Sequence, residues 1–347
     1  MAYTTIKKPS DYFNTKLYTG NGSTNAITGV GFQPDWVWLK DRDNANSHKL
    51  YDGVRGTTKF LSSEDASAEG TQSNGLTSFD SDGFTLGSYG GTNGSGGGSG
   101  PNFVSWNWLG ANGTASNTDG STTSTVSANT TSGFSIVQWT GTSGNTTIGH
   151  GLGTVPAMVI AKNLGGGTNW VVYHKNLTSG YYLKLNLTNA EDNANSYFTA
   201  DPTNSILSLT GNTAFNQSGN GMIAYCFASI NGYSKFGSYI GNGSTDGTFV
   251  YTGFKPAFVI MKRSTTGDTA SWYTYDNKRD SFNTMTKNVF PNLNNAENDD
   301  ANNNLDFLSN GFKIRTASGG RNASGITYIY MAFADEPLVG DNPATAR

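Results

Sequence analysis

The 347-residue chain holds one cysteine, three histidines, nine prolines and five glutamates, and only 14% of its residues are charged. The single cysteine, Cys226, excludes a disulfide within the chain. Its place in Met222-Ile-Ala-Tyr-Cys-Phe227 predicts a small buried hydrophobe. Soluble proteins average about 25% charged residues. The deficit removes coiled coils and most helical bundles, which draw on Ala, Glu, Lys, Leu and Arg. A net charge of −3 leaves no basic footprint, so no nucleic acid partner is expected. No apolar run approaches the ~20 residues of a membrane-spanning helix, and no membrane insertion is expected. The N-terminal stretch lacks the apolar segment of a secretion signal, so the Asn-x-Ser/Thr triplets at Asn21, Asn145 and Asn242 read as polar turns.

In contrast, glycine is abundant at 45 residues, and Asn, Ser and Thr together supply 117. Seven Trp, 17 Tyr and 19 Phe give ample surface to bury, which argues against disorder. Many turn formers combined with many rings predict an all-β chain.

Internal repetition sets the architecture. Proline followed by Val at +3 and Lys at +6 occurs in Pro34-Asp-Trp-Val37-Trp-Leu-Lys40, Pro156-Ala-Met-Val159-Ile-Ala-Lys162 and Pro256-Ala-Phe-Val259-Ile-Met-Lys262. An aromatic-to-glycine turn precedes each: Tyr18-Thr-Gly20, Trp139-Thr-Gly141 and Tyr239-Ile-Gly241. Tyr51-Asp52, Tyr173-His174 and Tyr275-Asp276 follow, then loops bearing Glu64, Glu191 and Glu297. Each unit closes on an aromatic strand around Trp106-Asn-Trp108, Tyr225-Cys-Phe227 or Met331-Ala-Phe333.

A period near 100 residues matches a β-sandwich, and the expected architecture is three tandem lectin-like or jelly-roll sandwiches. The boundaries are an N-terminal arm 1–11, repeats 12–110, 133–231 and 232–337, a Ser/Thr/Gly-rich linker 111–132, and a C-terminal tail 338–347. Within them, Phe134–Trp139, Tyr181–Leu187 and Phe312–Arg315 read as strands. The proline-led strand is apolar on both faces, which places it centrally, with its proline at the strand entry. The run Gly90–Gly100 reads as a flexible loop tip, since Pro101 and a strand follow it where a phosphate cradle needs a helix.

The residues expected for catalysis are missing from any recognisable spacing. There is no Gly-x-Ser-x-Gly elbow and no His-Glu-x-x-His pair. His150, between glycines, reads as a loop histidine bonded to backbone. Glycoside hydrolysis needs two carboxyls about 5–10 Å apart; Glu64, Glu191 and Glu297 fall one per repeat, and nothing pairs the aspartates. The acidic stretch Asn294–Asp306 lacks the spacing of a calcium loop and reads as a solvated turn. No catalytic residue, no metal and no cofactor are therefore expected. The repeats also serve as a control on the tryptophans. Trp36, Trp38, Trp106 and Trp108 align with Met, Ile, Tyr or Phe, as core positions do. His48, Trp170 and Trp272 share a position whose polarity varies, so they and the nearby Tyr173 and Tyr275 are the candidate glycan or partner contacts.

These landmarks resemble a family of structural proteins of marine bacteriophages, tail-fibre-like and carrying concanavalin-like β-sandwich domains. The resemblance rests on Asp11–Ser23, Gly31–Arg42, Phe79–Gly87, His150–Gly153, Tyr328–Val339 and the Ala346-Arg347 end, and covers nearly the whole chain. It implies a non-enzymatic virion structural protein, made in the host cytoplasm and carried on the particle surface as a short tail appendage, fibre or capsid decoration. It also implies assembly with other virion proteins, a homo-oligomer with a trimer favoured, and host attachment through a surface glycan. The alternative is a carbohydrate-binding receptor-recognition protein or a polysaccharide-degrading enzyme.

Overall fold

The computed structural model describes residues 4–96, 100–194, 196–265 and 269–345. Residues 1–3 of the expected arm, 97–99 of the glycine run and the Ala346-Arg347 end lie outside the described residues. The protein is all-β. Each repeat opens on a strand (Phe13–Thr19, Phe134–Thr140, Ser234–Ile240) that pairs antiparallel with the repeat's closing strand (Asn102–Trp108, Gly221–Phe227, Thr327–Pro337). The proline-led strand (Trp36–Asp41, Met158–Asn163, Phe254–Arg263) lies on the other side of the closing strand. A fourth strand follows it: Lys49–Asp52, Val171–His174 or Tyr273–Asp276. A separate three-stranded sheet covers this one in each repeat. Its strands are Asn25–Thr28, Leu76–Asp80 and Gly83–Leu86 in the first repeat, and Thr146–Gly149, Phe198–Ala200 and Ile206–Leu209 in the second. In the third they are Phe249–Tyr251, Leu305–Leu308 and Gly311–Ile314.

Side chains alternate across a strand, so the two faces of the sheet built on these four strands bury different residues. Val37, Leu39 and Tyr51 pack on the covering sheet through Ile27, Leu76 and Phe84. Val159, Ala161 and Cys226 do the same against Ile148 and Leu207, and Val259, Met261 and Tyr330 against Phe307 and Phe312. The opposite faces of the three sheets meet one another. Trp36, Trp106 and Trp108 of the first repeat share one cluster with Met158, Tyr225 and Phe227 of the second and Phe258, Met331 and Phe333 of the third. At its centre the equivalent rings of Trp108, Phe227 and Phe333 form a near-equilateral triangle with centroid separations of 6.3, 6.1 and 5.8 Å. The three repeats surround a pseudo-threefold axis, and each inner sheet has its second face packed against the other two.

Several expectations change. The 111–132 segment, expected as a linker, contains strands Ala115–Asn117 and Ser124–Asn129, which extend the inner sheet of the second repeat. One apolar side chain suffices there: Val126 enters the core between the sheets, while Ser127 donates to Asp35 of the first repeat. Residues 181–187 form isolated bridges in place of a strand, because the chain turns after Leu183 with the Leu187 N–H bonded to the Lys184 carbonyl. Pro256 lies inside its strand at a register shift, a position that tolerates a missing N–H. The N-terminal arm is not free either, since Ile6 is buried in the shared cluster.

The aromatic-to-glycine turns pack tightly. A Cβ on Gly20, Gly141 or Gly241 would sit about 2 Å from the carbonyl of Gly94, Gln217 or Ala323, so only glycine lets the two backbones meet. Short helical turns, Gly90–Asn93, Thr213–Asn216 and Gly319–Asn322, end directly before those carbonyls.

The second repeat expressed alone, residues 111–231, would expose Ile136, Met158, Ile160, Tyr225 and Phe227. We expect it to aggregate or to lack near-ultraviolet circular dichroism, while the whole chain unfolds in a single urea transition. A monomeric, natively packed fragment would contradict the shared core.

Candidate functional site

The polar groups that recur in sequence collect at the seams between repeats. The recurring lysine is buried in every copy, its ammonium among backbone carbonyls. Lys40 Nζ donates to Asp41, Asn44 and Asn46 of its own loop and, at 3.2 Å, to Asn294 of the third repeat. Lys162 Nζ donates to Asn163, Gly166 and Thr168 and, at 3.2 Å, to Ala66 of the first. Lys262 Nζ donates to Arg263 and, at 3.0 Å, to Thr188 of the second. Burial pushes these ammonium groups down, Lys40 and Lys162 to about 8 and Lys262 to about 7.

His48, Trp170 and Trp272, expected as accessible contacts, are between 0% and 1% exposed. Each faces the neighbouring repeat. His48 Nδ1 accepts from Trp38 Nε1 at 2.9 Å, which leaves Nε2–H to donate to the Phe290 carbonyl at 3.0 Å. Trp170 Nε1 donates to Ser62 at 2.9 Å and Trp272 Nε1 to Lys184 at 3.1 Å. Burial holds His48 well below the usual histidine range, so it stays neutral. Tyr275 is buried, donating to the Asn303 carbonyl and accepting from Arg321. Of the five candidates only Tyr173 reaches solvent, its ring tilted against Phe198 beside a cleft of about 100 Å³.

A third contact completes the pattern. The backbone N–H of Glu69, Glu191 and Glu297 donates to the carbonyls of Leu164, Ser264 and Arg42 at 2.8–2.9 Å. The equivalent glutamate of the first repeat is therefore Glu69; the matching of Glu64 with Glu191 and Glu297 is corrected. Counting back from these glutamates, the tryptophan or histidine contact falls at −7 and the lysine contact at −3 in all three repeats. Repeat one grips three, three grips two, and two grips one.

The other half of each seam varies in a correlated way. In the first repeat Asp52 is bonded to Arg55 and accepts from Tyr225 Oη of the second at 2.7 Å. In the third, Asp276 is bonded to Arg279 and accepts from Trp106 Nε1 of the first at 3.0 Å. The residue equivalent to Tyr225 and Trp106 in the third repeat is Met331, which has no donor. Facing it is His174 in place of an aspartate, bonded through Nε2 to the Tyr330 carbonyl. Arg55 and Arg279 also bind Glu69 and Glu297, and Glu297 holds Arg42 across the seam.

Within Asn294–Asp306, Glu297 binds these arginines, Asp299 accepts from Thr286 and Asp306 binds Arg315. Among the described residues no group of three His, Cys, Asp or Glu could hold a metal ion. His150 accepts from the Leu152 N–H and faces the Thr203 carbonyl. The sequence reading missed one recurring group. Asn93, Asn216 and Asn322 are fully buried, and each Nδ2 donates to three oxygens of the turn and loop around it. The signal was their common place nine residues before Tyr225 and Met331, obscured in the first repeat by the glycine run.

Open space lies at the rims of the seams. A cleft of about 430 Å³ separates Lys7–Ser10 and Phe13–Thr15 from Asn277, Lys278 and Ala334–Pro337 of the third repeat. Two adjoining grooves of about 370 and 400 Å³ follow strand Ser234–Ile240 between the second and third repeats.

The chain belongs to the family described as domain of unknown function DUF7483, which matches residues 8–337 and so takes in all three repeats together. No curated protein and no solved structure matches it.

Trp170→Phe keeps the ring but removes the bond to Ser62, and a loss of about 1–3 kcal/mol in urea unfolding is expected. The lysines give a pH signature. In the unfolded chain they titrate near 10.4, above their folded values, so the unfolded state holds more protons between about pH 8 and 10 and stability rises with pH across that window. The urea midpoint should be higher at pH 9 than at pH 7, and less so in Lys162→Met. A midpoint that falls would show the buried ammonium groups to be the favoured form.

Proposed function

We propose that this protein is a non-enzymatic structural component of a phage particle, a compact decoration or short appendage on its surface that acts in assembly and host attachment. The observation that carries the reading is the closed ring of seams. The side chains whose recurrence marked them for chemistry are bonded to the next repeat, which is how a rigid building block uses them. The resemblance of Asp11–Ser23, Gly31–Arg42 and Tyr328–Val339 to marine phage structural proteins supports the virion assignment. A trimer of chains was expected from how such appendages are built. Three repeats closing on themselves within one chain support a single copy filling a threefold position, with other virion proteins as its partners.

Recognition of a host glycan is the second reading. It can no longer rest on Trp170 and Trp272, whose indoles are buried, and it keeps one observation, the exposed rings of Phe249 and Tyr251 at 43% and 49%.

A density map of the purified particle should show the three-lobed body at a fixed symmetric position, with the chain present by mass spectrometry of the particle. Its absence from the particle would defeat the proposal. Saturable binding on a glycan array that disappears in Tyr251→Ala would favour recognition, and shortening of host polysaccharide by the pure protein would favour an enzyme.

A further inference from the structure

The three inner sheets are equivalent except at one edge. In the second repeat the opening strand Phe134–Thr140 is covered by Ser124–Asn129, which pairs along it with Val126 opposite Val137 and Ala128 opposite Ser135. The same segment seals the covering sheet: Ser121 N–H donates to Thr147 Oγ1 and Ser124 Oγ to the Gly149 carbonyl. In the third repeat the opening strand Ser234–Ile240 is the end strand of its sheet. The groove that the chain fills in the second repeat is here the pair of open grooves along that strand.

This groove differs from a passive edge. Register places Phe249 and Tyr251 where the second repeat has Thr147 and Gly149, the residues its own strand covers. Ile240 stands where the second repeat has Thr140. All three are large, apolar and 43–61% exposed, half of the exposed large hydrophobics among the described residues. Lys235 occupies the position of Ser135 and reaches across to the Tyr251 carbonyl at 2.8 Å, and Lys175 lines the same space. Among the described residues no carboxylate lines it. Gly237 stands at the position of Val137, with the Tyr330 ring in the space its Cβ would take, so a strand residue added opposite it packs on that ring. The first repeat's free edge, by contrast, is flanked by Ala26 and Thr28 at the positions of Phe249 and Tyr251.

We propose that strand Ser234–Ile240 is a docking edge for an extended segment of a partner protein. The added strand lies antiparallel as Ser124–Asn129 does, with a small apolar residue opposite Gly237 and an acidic residue opposite Lys235. Exposed edges are templates for strand addition, and an edge lysine rejects strands that bring no opposite charge. The occupant is thus a Ser/Thr-rich acidic β-strand, and this holds wherever the protein works.

The test uses the full chain and a fluorescein-labelled peptide of residues 121–130 carrying Ala128→Glu, with Ala128→Lys as its control. Anisotropy should show saturable binding of the acidic peptide at least about fivefold tighter than of the basic one. Lys235→Glu should reverse that preference, and Tyr251→Ala, a surface change, should weaken both complexes. No saturable binding up to about 1 mM, the weak end of specific recognition, would overturn the proposal. So would binding that ignores Lys235→Glu, and so would self-association of the free protein through this edge, which would make a second copy the occupant. None of these outcomes bears on whether the protein is part of a phage particle.

Discussion

An inner sheet that is apolar on both faces has to be covered twice, and the whole molecule follows from that requirement. The three-stranded sheet of each repeat covers one face. The other face, carrying Trp36, Trp106 and Trp108 or their counterparts, finds its apolar cover in the other two repeats, with Ile6 of the N-terminal arm added to the same cluster. Three such faces close around an axis with the Trp108, Phe227 and Phe333 rings in mutual contact. Large aromatic rings suit this place because each buries much area with few rotatable bonds, and tilted or edge-on contacts accommodate three unlike sheets.

Hydrophobic contact alone would let the sheets slide or rotate, and the seams prevent it. A buried ammonium or indole N–H without an acceptor costs more than its bond returns. Only the arrangement that brings Asn294, Ala66 and Thr188 to the three lysines satisfies all of them at once. The contacts at −7, −3 and 0 from Glu69, Glu191 and Glu297 run in one direction around the ring. Their directionality sets which repeat adjoins which.

The sequence carried much of this, unevenly. The threefold repeat, the all-β class and the burial of Trp36, Trp38, Trp106 and Trp108 were legible because side-chain alternation and the mutual substitution of large apolar groups record burial directly. The seams were not. A lysine recurring in three copies reports that something holds it, but the carbonyls that do so leave no trace in side-chain identity. His48, Trp170 and Trp272 misled for the same reason. Their variation in polarity looked like surface freedom, whereas any ring N–H satisfies a carbonyl. Strand Ser124–Asn129 was hidden by composition, since small residues beside a neighbouring sheet need one valine to be buried. Only with Met331 placed opposite His174 does the exchange of aspartate for histidine become intelligible.

Joining the three modules in one polypeptide changes the physics of their association. Free modules with these faces would have to meet as separate molecules and would part on dilution, whereas tethered ones face each other at an effective concentration fixed by the connecting chain. The body therefore keeps its shape at any protein concentration. With no requirement that the copies remain identical, each seam was at liberty to diverge.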